Sequence, residues 1–246
     1  RIIKWDKERI KRYQLKRLRE VIRYASTVPV YETKYKESDV SASKIRSLED
    51  LVALPLIGKD ELIKGFPSNI IPRTRAKVER KIVSTGGSSG KPVSLFVDWY
   101  EIVKSYGTFF AQIRAHGFDP LRMRYMNIGN LNPYRADQEY GLSVLSKIPR
   151  FLPLRKKVCF VSVNTPPLEL LDKIEKFKPD YIMTYGGTLL NLANYLRGYP
   201  RTIAKPKILA TSGAILDSYT REYIEDVFGC KIMDVYACVE SGCAIA

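Results

Sequence analysis

From residue 158 onward the chain alternates between short apolar runs and segments with helical spacing, and this alternation restricts its fold more than any other feature. Residues 158–163 predict a buried strand, 167–177 a helix, 181–184 a strand, 189–196 a helix, 207–211 a strand, 218–228 a helix closed by Gly229, and 231–236 a strand. Strands separated by helices become parallel neighbours. The pattern therefore predicts an α/β fold with largely parallel sheets flanked by helices. Upstream, residues 80–83 and 93–97 read as two strands on either side of a glycine-rich loop. Pro29, Pro55, Pro67 and Pro72 cut the first third into short helices, one of them with Ser47 as its N-cap ahead of Glu49 and Asp50. The expected division is a helical segment over 1–75 packed on an α/β region over 76–246.

Composition narrows the classes. The chain has 246 residues, 45% hydrophobic and 27% charged, which is enough to bury a sizeable core and excludes general disorder. Lys and Arg number 41 against 26 Asp and Glu, a net charge of +15, so an anionic partner has to be considered. The excess is local. The first 24 residues carry ten cations and three acids in helical order with Ile10, Leu15, Leu18, Val21 and Ile22. A solvated helix covering a core with its apolar stripe is the simpler reading, and a face for a membrane or polyanion is the alternative. No RNA-binding aromatic signature, zinc finger or helix-turn-helix accompanies the basic segments, so nucleic acid is not an expected partner.

The single histidine, His116, excludes histidine-rich metal sites and reads as a helix end. Four scattered cysteines do not make a disulfide scaffold and fit a reducing, cytoplasmic location. Cys230, Cys238 and Cys243 lack a CxxC pair and a nearby histidine, which leaves a metal reading dependent on further ligands. No apolar run reaches the roughly 18–20 residues of a membrane span. Arg1 is not an initiator methionine, so the true N-terminus is expected to lie upstream.

The strongest local motif is Ser84-Thr85-Gly86-Gly87-Ser88-Ser89-Gly90-Lys91-Pro92. Three glycines let backbone N–H groups converge, four hydroxyls add donors and Lys91 adds charge, a combination suited to a polyphosphate. It is not a Walker loop: Thr85 stands where that motif has its first glycine, and Pro92 follows the lysine. A small-residue hairpin turn is the structural alternative. A second cluster, 234–242, runs from a strand into a loop carrying Asp234, Tyr236 and Glu240, where an aromatic could stack a base and a carboxylate could hold Mg²⁺. Ser212-Gly213-Ala214 and Tyr185-Gly186-Gly187 follow two other strands, so a parallel sheet would bring these clusters to one edge.

In this order, the loop at 84–92, the Ser212-Gly213 strand end and the spacing from Tyr236 to Glu240 resemble the adenylate-forming superfamily. They are most similar to its phenylacetate-CoA ligase group and that group's capsular-polysaccharide and coenzyme-adenylating relatives. Val28-Pro29-Val30-Tyr31, Ser47-Leu48-Glu49-Asp50-Leu51, Leu54-Pro55, Lys59-Asp60 and Lys178-Pro179-Asp180 match the same group. The resemblance implies the large N-terminal domain of that family, with the nucleotide-binding region over 76–246. It also implies ATP-dependent adenylation of a small carboxylic acid and transfer to a thiol, commonly coenzyme A. Carried over by position, Ser84, Thr85, Gly86, Gly87, Ser88, Ser89, Gly90 and Lys91 would form the phosphate loop. Ser212, Gly213, Ala214, Asp234 and Tyr236 would frame the nucleotide, Tyr185, Gly186 and Gly187 would lie beside the acyl pocket, and Glu240 would ligate Mg²⁺, with Glu240 and Lys91 serving catalysis.

Three positions depart from the family pattern. Ala214 replaces a glutamate, Val239 a hydroxyl residue and Ala237 a glycine. Ala246 falls ahead of the family's ribose-binding aspartate and its C-terminal domain with the adenylation lysine, so the resemblance implies a truncated piece, inactive alone. The alternative is a non-catalytic binding or scaffold module of the same fold. A homodimer is left open.

Overall fold

The computed structural model describes residues 5–75, 77–86, 90–147, 149, 151, 153–240 and 243–245. In chain order the elements begin with helices α1 (Lys7–Ala25), α2 (Pro29–Glu37) and α3 (Lys59–Gly65), then strands β1 (Lys81–Ser84) and β2 (Ser94–Val97) and helix α4 (Trp99–Ala115). There follow β3 (Tyr125–Gly129), α5 (Ser143–Lys147), β4 (Val158–Ser162), α6 (Pro167–Phe177), β5 (Tyr181–Tyr185) and α7 (Gly186–Gly198). The chain then forms β6 (Ile208–Ser212), α8 (Ser218–Phe228), β7 (Ile232–Asp234), β8 (Tyr236–Cys238) and β9 (Cys243–Ile245). They divide into two compact units, one of residues 1–79 and 87–96, the other of 80–86 and 97–246.

In the first unit, Asp6 caps α1 by accepting from the Arg9 amide at 2.7 Å, satisfying an amide that the first helical turn leaves unpaired. Leu15, Leu18, Ile22 and Ala25 form the inner stripe of α1 and pack with Tyr35, Ala42 and Ile45. Ser47 does not act as the expected N-cap. The Asp50 carboxylate instead reaches back to the amides of Arg46 and Ser47, at 2.6 and 3.0 Å, ahead of a short 3-10 turn, Glu49–Ala53. A carboxylate accepts these bonds more strongly than a hydroxyl.

The second unit is built on a five-stranded parallel sheet in the order β4-β3-β5-β6-β7. The central strands are buried on both faces, as parallel sheets require. Met126, Ile182, Leu209 and Ile232 join Leu170, Leu171 and Ile174 of α6, Leu189 and Leu192 of α7, and Ile224 and Phe228 of α8 in one core. Tyr125, Tyr181, Ile208, Ala210 and Met233 point the other way, into a cluster with Ile113 of α4. This alternation is the strand period of two. Each fully buried Leu or Ile contributes about 1.5–3 kcal/mol, so the two clusters supply most of the unit's cohesion.

The predicted alternation of elements is present, with two differences. The expected strand over 231–236 is broken. Val235 still donates its amide to the Thr211 carbonyl at 2.8 Å, but the chain then leaves the sheet, and β8 pairs antiparallel with β9. The helix expected over 189–196 starts at Gly186, directly at the end of β5. His116 caps the C-terminus of α4, as its position suggested. Among the described residues no helix is long and apolar enough to cross a membrane.

Candidate functional site

All five strands of the second unit's parallel sheet run in one direction, so their C-terminal ends share an edge. From β3 the chain crosses to β4 on one side, whereas β5, β6 and β7 follow on the other. The order reverses between β3 and β5, and open α/β sheets bind ligands in the crevice at such a reversal. Gly129 ends β3 there, and Tyr185 ends β5. Across the same pair of strands the buried Thr184 hydroxyl donates to the Ile128 carbonyl at 2.7 Å.

A polar network occupies this point. Asp137 accepts from the Asn130 amide at 2.8 Å and from the Tyr185 hydroxyl at 2.5 Å, both on Oδ2. Burial raises the Tyr185 phenol above its ordinary range, and the hydrogen bond and charge of Asp137 raise it further. The hydroxyl therefore stays protonated and remains a donor. Space is tight: a Cβ on Gly129 would lie 2.6 Å from the Asp137 carboxylate. Gly213, at a positive φ of 89°, passes close to the Tyr185 ring, 3.5 Å from where its own Cβ would stand.

Ser84 and Thr85, at the start of the predicted phosphate loop, are tied to the segment that follows β3. The Ser84 amide donates to the Tyr134 carbonyl, and Arg135 Nη1 donates to the Thr85 carbonyl, each at 2.7 Å. Glu139 supports the same segment through Lys81 at 3.4 Å and the Tyr134 amide at 3.3 Å. Gly86 has open space where a Cβ would be. Gly87, Ser88 and Ser89 lie outside the described residues. Gly90 adopts φ 119°, and Lys91 is exposed.

Of the proposed nucleotide-framing residues, Ser212 ends β6 opposite Tyr185, and Gly213 and Ala214 continue from it as exposed positions. Asp234 ends β7, where it accepts from Thr211 Oγ1 at 3.1 Å and is ion-paired with Arg221. Tyr236 is 76% exposed, a ring available for stacking. Gly186 and Gly187 form the first turn of α7, and a Cβ on Gly187 would meet nothing within 4 Å. Glu240 is exposed in the turn after β8. Val239 packs on an apolar cluster of Val83, Val97 and Ile102.

The sequence reading missed Asn130, Arg135 and Asp137. Their signal was present, since Asn130, Asn132, Pro133 and Asp137 are turn formers in a segment leaving a strand, but β3 itself was not identified.

Among the described residues no three His, Cys, Asp or Glu side chains gather as a metal-binding group. Burial pushes the Cys230 thiol up to about 11, which disfavours the thiolate that a metal needs. Cys238 is exposed, and the Cys243 side chain lies outside the described residues. Glu240 suits Mg²⁺ by donor type, because that ion takes one or two carboxylates together with phosphate oxygens and water.

No protein-family model matches the chain. Phenylacetate-coenzyme A ligase from Pseudomonas putida is 24% identical over 240 residues, which are 94% of this chain and 51% of the relative. Among solved structures, 2-hydroxyisobutyryl-CoA ligase in complex with 2-HIB-AMP and CoA in the thioesterification state matches with a TM-score of 0.75 at 19% identity, over 96% of this chain and 50% of that one. Its open conformation with 2-HIB-AMP and CoA gives a TM-score of 0.71 at 18% identity, over 94% and 54%. The chain spans about half the length of these proteins. Its fold is that of the adenylate-forming enzymes. In sequence, 94% of the chain is similar to phenylacetate-coenzyme A ligase.

Proposed function

We propose that this chain serves ATP-dependent adenylation of a carboxylic acid, followed by transfer of the acyl group to a thiol such as coenzyme A. One observation carries the reading. The strand-order reversal holds a protonated Tyr185 hydroxyl against Asp137, beside the glycine-lined end of β6. Tyr185, Gly186 and Gly187 would flank the acyl group, while Ser212, Gly213, Ala214, Asp234 and Tyr236 would frame the nucleotide. The loop at 84–91 would hold the phosphates, with Lys91 supplying charge. This assignment treats 76–246 as the nucleotide-binding region and 1–75 as its helical companion.

In the first step a carboxylate oxygen bonds to the α-phosphorus of ATP as the bond to pyrophosphate breaks. In the second the thiol sulfur bonds to the acyl carbon, AMP leaves and the thiol gives up its proton. The first step brings two anions together, so fixed donors aimed at the phosphates lower its barrier electrostatically. Glu240 would hold Mg²⁺, which when bound neutralises phosphate charge.

Val239 favours a second reading. Where the family has a hydroxyl, an isopropyl group packs on Val83, Val97 and Ile102, as expected of a non-catalytic module whose basic face meets a membrane or polyanion. Calorimetry of Mg-ATP binding to the wild type and Lys91→Ala decides between the two. Binding that Lys91→Ala weakens supports the ligase reading, equal affinity removes the role of Lys91, and no binding by the wild type favours the module.

A further inference from the structure

The solvent-facing side of α1 has two adjoining stripes. Arg9, Arg12, Lys16 and Arg23 recur at helical spacing on one. The acids of the helix, Glu8 and Glu20, are taken up by Lys11 and Arg17, and Arg12, Lys16 and Arg23 have no ion pair among the described residues. Beside them lie Tyr13, Val21 and Tyr24, which are 41%, 58% and 46% exposed. The opposite face is committed to the first unit's core through Leu15, Leu18 and Ile22.

We propose that this face docks on an anionic phospholipid bilayer. Unpaired cations meet the negative headgroups, and tyrosines, with an apolar ring and a polar tip, sit at the boundary between headgroups and acyl chains. The inner stripe stays in the protein core, so the helix adsorbs without inserting that stripe. The aromatic geometry is poor for stacking nucleic-acid bases. The Arg9 guanidinium lies 4.4 Å from the centre of the Trp5 ring, and the Tyr13 ring meets Trp5 at 5.4 Å and 74°, so the indole is already engaged. Docking deepens the membrane part of the second reading and is compatible with the ligase reading, and because vesicle binding and Mg-ATP binding are separate measurements, its failure is distinguishable from the failure of either.

The test is flotation of the protein with phosphatidylcholine vesicles, with and without phosphatidylserine, at low and high salt. The expected result is binding only to the phosphatidylserine vesicles, weakened by salt, with a loss of roughly fivefold in partition for each cation removed in Arg12→Gln, Lys16→Gln and Arg23→Gln. Tyr13→Ser with Tyr24→Ser should weaken binding at constant charge. Circular dichroism of each variant checks folding, and salt titration of the wild type tests the electrostatic component without any substitution. Absence of binding, equal binding to neutral vesicles, or tighter α1-dependent binding to RNA than to vesicles at the same salt would overturn the proposal.

Discussion

The hydroxyl of Tyr185 donates to Asp137 at 2.5 Å, joining the end of β5 to the segment that leaves β3. Forty-eight residues of chain separate the two partners, and the contact forms at the place where the sheet order turns back on itself. It ties the conformation of a loop to the position of an aromatic ring.

Asp137→Ala should cost about 2 kcal/mol, because the Asn130 amide and the Tyr185 hydroxyl both lose their acceptor. Gly129→Ala should cost roughly 1–3 kcal/mol by pressing a methyl group into the same carboxylate. Removing the carboxylate also relieves part of the clash at 129, so the double variant should fall short of the sum of the two losses in urea unfolding. Additive losses would show that Asp137 does not mediate the effect of a side chain at 129.

Arg135→Ala removes the donor to the Thr85 carbonyl. If the loop at 84–91 binds phosphates, affinity for Mg-ATP should drop about tenfold, equivalent to about 1.4 kcal/mol. Calorimetry reads this directly. Unchanged affinity in a folded variant would separate Arg135 from nucleotide binding.

Val239→Thr should destabilise the second unit by about 1 kcal/mol, since a hydroxyl replaces a methyl group packed in an apolar cluster. Affinity for Mg-ATP should stay the same if the isopropyl group belongs only to the core. Denaturant unfolding and calorimetry on the same preparation test both statements, and tighter ATP binding would contradict the second.

Stability should fall in strong alkali. Burial pushes Tyr106 and Tyr140 up to about 12, and it also raises Tyr125, Tyr181 and Tyr185. The folded state therefore keeps protons that the unfolded chain starts to release near the ordinary value of 10.0. Their contribution is complete below that pH and is lost as pH rises from 10.0 to about 12. Melting temperatures across this range, followed with the phenolate absorbance, should drop before the buried phenols titrate. Early titration with no fall in melting temperature would contradict the linkage.

Much of the sheet was legible because its strands are apolar and its helices amphipathic: α6 and α8 fall where their spacing and end residues put them. β3 was not legible. Asn127 and the terminal Gly129 interrupt its apolar run, and the strand gains its stability from pairing with β4 and β5, contacts that no local window contains. The start of α7 was obscured by Gly186 and Gly187, whose weak helix propensity is overridden by tertiary context. At the site, Tyr185 stood out as an aromatic at a strand end. Asp137 did not, because nothing in the sequence says that it meets a residue so far along the chain.

The close approach of Gly129 to Asp137 makes two positions conditional on each other through descent. A lineage that gains any side chain at 129 has nowhere to put it while the Asp137 carboxylate and the Asn127 amide oxygen stand 2.6 and 2.8 Å from its Cβ, and a lineage that loses the carboxylate removes the nearer of these two obstacles. The permitted histories are therefore ordered, with 137 changing and the Asn127 side chain turning away before 129 varies, and the tyrosine at 185 loses its partner when 137 changes.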